Sequence, residues 1–388
     1  MIKRSKKFLN LPEYPLSDLG DTKKRLIGKG MDIIDLGAGD ADLSPPSEAI
    51  QALTDASQQI EMSRYGFQAG LSSFRESIAD WMEKRFGVHL DPYLEILPLL
   101  GSKEGIAKVP LAFMDPGEIA LIPDPGYQSY LGGVTLAGGI PLLVPLLQEN
   151  EFSIPLDGFN QDLLQNIRLL YMNYPNNPTT ALSSLDYLRD SIEFCRKTEA
   201  VLVYDNAYSE IAFNGFRPPS ILEIEGAKNV ALEFHSFSKT YNMTGWRLGW
   251  VAGGADLIAT LTKVKTFMDT GSFMAVQSAG IAALGVYETW VPKNVAVFEN
   301  RRDTAVSSFR RAGFDVTEPQ ATMYLWIPIP GRESSVEFAK RALVEKGVVI
   351  LPGAGLGLGG EGFFRVALTV ENDLMELAAK RLKGLIET

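Results

Sequence analysis

The chain has 388 residues, 46% hydrophobic and 22% charged, a globular balance that excludes wholesale disorder and fits two or three folding units. Its net charge of −10 removes the basic field that phosphate-dominated nucleic-acid binding requires. A single cysteine, Cys195, and two histidines, His89 and His235, exclude an internal disulfide, a cysteine-based zinc site and a histidine-rich metal centre.

The first seven residues are basic, but residues 8–15 carry no continuous apolar core and no small-residue cleavage pattern, so no export signal is expected. No apolar run approaches the eighteen residues of a membrane span; the most apolar region, 131–147, is broken by glycines and two prolines. A cytoplasmic address is expected, with neither a membrane nor a nucleic-acid partner. Further along, helical patterns at 71–86, 102–113, 184–198 and 275–287 alternate with short aliphatic runs at 118–123, 169–171, 200–204, 230–233 and 248–252. That alternation predicts an α/β fold with a largely parallel sheet. The last hundred residues differ: a helix over 292–312, strands at 323–329, 348–351 and 363–369, a helix over 335–346 and a closing helix predict a smaller α+β unit. Residues 355–360 fit G-x-G-x-x-G, but they lie between two strand-like runs with no helix behind them. They read as a flexible loop, not a nucleotide site.

The segment 235–250 carries the most chemistry. Lys239 has Ser236 and Ser238 before it and Arg247 eight residues after it, among Phe, Thr, Tyr and Trp. An ε-amine desolvated beside other cations gives up its proton and attacks a carbonyl to form a Schiff base. Hydroxyls with an arginine make a donor set for a phosphate dianion. Aldehyde chemistry and phosphate recognition in one loop point to pyridoxal 5′-phosphate. That cofactor needs a carboxylate at its ring nitrogen to act as an electron sink, and Asp205 ends the apolar run 201–204 at a strand's carboxyl edge. Tyr208 lies within reach of a phenolic oxygen. Asn177, among prolines, offers a fixed amide. Gly101-Ser102-Lys103 leads into a helix whose N-terminus favours an anion. Tyr127, past another strand end, suits stacking on a planar ring, with core packing as the alternative reading of it.

The ordered motifs Gly101-Ser102-Lys103, Tyr127, Asn176-Asn177-Pro178-Thr179, Tyr204-Asp205 and Ser236-x-Ser238-Lys239 with Arg247 resemble the fold-type-I aminotransferases of class I/II over nearly the whole chain. The resemblance implies a large cofactor-binding domain at 46–288, with an N-terminal arm at 1–45 and a C-terminal small domain at 289–388. It implies Lys239 as the Schiff-base lysine and proton shuttle, Asp205 on the pyridine nitrogen, and Asn177 and Tyr208 on the phenolic oxygen. Ser102, Lys103, Ser236, Ser238 and Arg247 would surround the phosphate, joined by Tyr65 from the neighbouring subunit of a homodimer. Arg365 would fork the substrate α-carboxylate, and the backbone of Gly39 would lie over the substrate. Segments 101–107, 207–213 and 233–236 look most like LL-diaminopimelate aminotransferases, which implies an amino acid and a 2-oxo acid as substrates. Pro178-Thr179-Thr180 and Ala41 depart from the usual pattern. No acidic residue follows Tyr65, so Gln68 is expected to meet a distal ammonium and Lys103 a distal carboxylate. Alternatives are a broad-specificity aspartate/alanine-type aminotransferase, a β-lyase on the same scaffold, or an aminotransferase-like regulatory sensor.

Overall fold

The computed structural model describes residues 2–11 and 17–386. Part of the expected N-terminal arm, residues 12–16, lies outside the described residues.

A seven-stranded sheet organises the first two-thirds of the chain. Its strands are β1 Ile96–Leu99, β2 Ile119–Asp124, β3 Ile140–Pro145, β4 Ile167–Met172, β5 Val201–Asp205, β6 Ala231–Ser236 and β7 Gly249–Gly253. They lie in the order β1-β7-β6-β5-β4-β2-β3. β2 to β6 are mutually parallel, and β7 runs antiparallel to both its neighbours. Successive residues serve opposite faces, as the two-residue period requires. Leu121, Leu170 and Leu202 pack with the helices Ser72–Phe86, Leu185–Thr198 and Met274–Gly285. Ala120, Ile122, Leu169, Tyr171 and Val203 pack with Ser102–Phe113, Gln128–Ala137 and Ala255–Thr266. Burial on both faces is why these strands read as unbroken aliphatic runs.

Two strands escape the periodicity reading. β1 contains Pro98 and β3 contains Pro141 and Pro145, and both are edge strands, the place where a missing N–H costs no ladder bond. The helix expected from residue 292 starts earlier, as Tyr287–Arg311, with Pro292 inside it. Buried Val291 and Phe298 hold the helix on either side of the lost hydrogen bond. The glycine run is not an open loop. It folds as two short 3₁₀ turns, Gly353–Leu356 and Leu358–Gly360, with the Gly359 N–H donating to Asp124 Oδ1 at 3.0 Å.

A second core gathers late and early residues. Strands β8 Tyr324–Pro328, β9 Leu351–Pro352 and β10 Phe363–Ala367 form an antiparallel sheet in the order β9-β10-β8. Ile34–Asp35 pairs in parallel with Val348–Val349, which draws the N-terminal segment onto this unit. Phe309, Phe314 and Phe338 surround the fully buried Phe364. Phe364→Ala should cost about 3–5 kcal/mol, read as a lower urea midpoint for loss of near-UV dichroism. An unchanged midpoint would show that this aromatic cluster does not hold the second core together.

Candidate active site

The carboxyl ends of β2, β4, β5 and β6 open on one side of the sheet, where α/β folds keep their ligands. A cavity of about 450 Å³ lies there, between that edge and strand β10. Gly39, Ser102, Lys103, Tyr127, Asn177, Asp205, Tyr208, Ser236, Ser238, Lys239, Arg247 and Arg365 all line it. A larger, shallower groove of about 1040 Å³ runs past Phe159 and Tyr187. None of the residues that the sequence marks as site candidates lines it.

Asp205 ends β5 and is buried. Its Oδ2 accepts from the Tyr130 hydroxyl at 2.8 Å, whereas Oδ1 is buried with no partner. Burial pushes this carboxyl up to about 6, against the pull of the Tyr130 hydrogen bond, the Ala207 N–H, His235 and Lys239. A buried acceptor without a donor is costly unless a ligand satisfies it. Asn173, the first residue past β4, steadies the neighbourhood: its amide donates to the Asp205 carbonyl at 2.7 Å and accepts from the Asn177 N–H at 2.8 Å.

Lys239 sits in a single helical turn, Phe237–Thr240, capped by Ser236, whose hydroxyl accepts from the Ser238 N–H at 3.1 Å. Its ammonium donates to the Gly39 carbonyl. Across the cavity mouth Gly101 turns with φ of 79° into the helix Ser102–Phe113. A side chain at Gly101 would strike the Arg247 guanidinium, so glycine is what lets that cation approach the helix start. Arg247 Nη1 is tied to the Thr244 carbonyl at 2.8 Å. With the free N–H groups of the first helical turn and the hydroxyls of Ser102, Ser236 and Ser238, this makes a cradle for a dianion.

Arg365 enters from β10. Its Nη1 donates to Asn177 Oδ1 at 2.8 Å and its Nη2 to the Gly37 carbonyl at 2.8 Å, while Nε is buried without a partner. Its guanidinium carbon lies 4.1 Å from the ring centre of Tyr324, whose hydroxyl is 3.0 Å from that of Tyr208. Lys103 stands 5.8 Å from the ring centre of Tyr127.

Two expected site residues lie outside this cavity. Tyr65, expected to serve a neighbouring subunit, is 73% exposed, with its ring tilted against that of Phe67 at 5.8 Å. Gln68 is buried outside the cavity, its amide donating to the Asp269 carbonyl at 2.6 Å. The amide nitrogen of Gln68 is thus engaged away from the chain's own cavity, where the expectation would place it. Its side chain belongs to the segment around Asp269, whose carboxylate is held down at about 2 because Lys108 and Lys265 outweigh the cost of burial. Three residues went unread in the sequence: Tyr130, Asn173 and Tyr324. Tyr130 lies one helical turn from Tyr127 and Asn173 directly follows an aliphatic run, which are usable local signals. Tyr324 carried none, because its place depends on the pairing of β8 with β10.

Residues 31–382 match the family model described as aminotransferase class I and II. The chain is 44% identical to an LL-diaminopimelate aminotransferase of Aquifex aeolicus, covering 97% of each, and 42% identical to one of Moorella thermoacetica, covering 99% of each. Among solved structures, an aminotransferase from Staphylococcus aureus superposes with a TM-score of 0.91 at 31% identity, covering 99% of both chains.

Two outcomes follow from the state of Asp205. Tyr130→Phe removes a donor to the ionised form, so the Asp205 midpoint followed by carbon NMR should rise above about 6; a fall would contradict the geometry. The folded value lies above the ordinary 3.8, so ligand-free protein loses stability as pH climbs from 3.8 to about 6. Asp205→Asn should flatten that part of the urea-midpoint profile.

Proposed function

The chain belongs to the class I and II aminotransferases, and we propose that it uses pyridoxal 5′-phosphate to exchange an amino group between LL-diaminopimelate, or a similarly long dicarboxylic amino acid, and 2-oxoglutarate. The observation that carries this reading is the orphan Oδ1 of Asp205, a residue that lines the same cavity as Lys239 and Arg247. A protonated ring nitrogen supplies the missing donor, and a phosphate suits the cradle. The residues present therefore fit the cofactor.

Bound there, the cofactor supplies an electron sink for the pair left when the substrate Cα loses its proton. Lys239 Nζ would hold and move that proton, a task for one base. Asp205 would hold a protonated ring nitrogen, and Asn177 and Tyr208 would hold the phenolic oxygen. Tyr127 would pack against the ring. Arg365 fixes the α-carboxylate; its Asn177 and Gly37 contacts aim the guanidinium before substrate arrives. The Gly39 backbone closes over the substrate. Gly39 admits no side chain because a Cβ would strike the Tyr324 hydroxyl.

Selectivity lies at the distal end. Lys103 receives a far carboxylate, and the Gln128 amide oxygen and Gly355 carbonyl on the same wall are the acceptors for a far ammonium. None of these acceptors carries a negative charge, so selection of that ammonium is modest. The assembly is a homodimer in which Tyr65, turned away from its own cavity, completes its partner's cradle. The cofactor domain is taken as 46–288, with 1–45 and 289–388 forming the smaller unit. The setting is cytoplasmic; among the described residues no helix is long and apolar enough to cross a membrane and no cluster could hold a metal.

Protein purified with the cofactor should be yellow, and borohydride should fix the cofactor to Lys239 in a peptide digest. Lys239→Ala should lose several orders of magnitude in turnover; near-normal transamination would overturn the assignment. Lys103→Ala should lower kcat/KM for diaminopimelate at least tenfold more than for alanine, as one charge-assisted hydrogen bond of about 1.5–3 kcal/mol implies. Equal losses would place the distal carboxylate elsewhere. Mixing Tyr65→Ala with Lys239→Ala chains should restore about a quarter of full activity, because half the dimers then carry one intact site. No recovery despite subunit exchange would exclude shared sites.

A further inference from the structure

Two buried tyrosines from different sheets meet in the cavity wall. Tyr208 follows β5, Tyr324 opens β8, and their rings cross edge-on at 5.6 Å with the hydroxyl oxygens 3.0 Å apart. Distance alone leaves the donor undecided. A hydroxyl carries one proton, so where Tyr208 turns its own toward the cavity the shared contact takes the Tyr324 proton. Tyr324 has the Arg365 guanidinium 4.1 Å from its ring centre, and its hydroxyl abuts Gly39, the residue whose carbonyl accepts from Lys239. The Arg365 guanidinium thus covers the Tyr324 ring, and the Tyr324 hydroxyl lies beside the Gly39 backbone that takes the Lys239 ammonium. Burial pushes this hydroxyl up, but Arg365, Lys239 and the Tyr208 hydrogen bond outweigh it and hold it below the ordinary tyrosine range. Tyr208 moves the other way, well above that range, through burial and the neighbouring Tyr324.

We propose that Tyr324 is a positioning residue: its hydroxyl donates to Tyr208 Oη, which leaves the Tyr208 proton to face the cavity, and its ring holds the Arg365 guanidinium. Tyr208 Oη has no other hydrogen-bond partner among the described residues, so its own proton is reserved for a ligand oxyanion. One side chain thereby serves both ends of the site. Its hydroxyl sharpens the donor for the phenolic oxygen of the cofactor, and its face restrains the fork for the α-carboxylate through a cation–π contact. The inference rests on the cofactor reading given above.

The two halves separate by substitution. Tyr324→Phe keeps the ring and removes the hydroxyl; Tyr324→Leu removes both. A weaker donor leaves more negative charge on the phenolic oxygen, and the protonated nitrogen beside it then keeps its proton to higher pH. In the holoenzyme, Tyr324→Phe should raise the pH midpoint of the visible band by a few tenths of a unit, in the same direction as a larger rise in Tyr208→Phe. Its KM for 2-oxoglutarate should stay within about twofold of the unmodified enzyme, because the ring still covers Arg365. Tyr324→Leu should add a rise in KM of about three- to tenfold with a smaller change in kcat. A band midpoint unmoved by Tyr324→Phe, or a KM unmoved by Tyr324→Leu in protein of normal dichroism, overturns the proposal alone. Absence of any visible band from the unmodified protein with the cofactor overturns the cofactor reading and this inference with it.

Discussion

A carboxylate buried at the end of a central strand, with one oxygen satisfied and the other left open, is the constraint around which this site is built. Asp205 is placed by β5, whose neighbours β4 and β6 bury it on both sides. Its carbonyl is held by Asn173 and its Oδ2 by Tyr130. An isolated buried charge would lower its cost by taking up a proton, and the rise to about 6 shows that tendency at work. A cationic donor in the cavity reverses it. The structure therefore carries a cost in the absence of ligand that ligand binding relieves, a familiar arrangement for a pre-organised site.

The same economy governs the far side of the cavity. The helix Ser102–Phe113 presents its first turn to the cradle, and its Glu104 and Lys108 are pinned from behind by Lys265 and Asp269. Four charges at the edge of the core are tolerable because each has an opposite partner, and removing one would strand the others. The network fixes where the helix begins and thus where its free N–H groups point. It also draws in Gln68, which bonds the Asp269 carbonyl. A position that sequence spacing places beside the site is thereby committed to supporting it.

Arg365 joins the two cores. It rises from the small sheet but hydrogen-bonds to Asn177 at the edge of the large one and to Gly37 of the N-terminal segment. This setting of the Arg365 guanidinium therefore exists only when both units are folded and seated together. The glycine run 353–360 adds a second link, since the Gly126 N–H donates to the Leu356 carbonyl at 2.8 Å and Asp124 holds Gly359.

What the sequence by itself determined is the local placement of these side chains. Ser236, Ser238, Lys239 and Arg247 share one loop, Asp205 closes an aliphatic run, and Gly101 precedes a helix. Each reads correctly as a local unit because strand ends and helix starts are set by neighbours a few residues away. The interior strands of the large sheet were legible for the same reason, through continuous burial. Tertiary structure alone decided the rest. The edge strands carry prolines that spoil their pattern and are strands only because β7 and β2 pair with them. Gln68 and Tyr324 are polar side chains whose direction depends on partners about 200 and 116 residues away. No periodicity encodes such a pairing. It follows from which buried donors and acceptors the completed fold leaves facing one another.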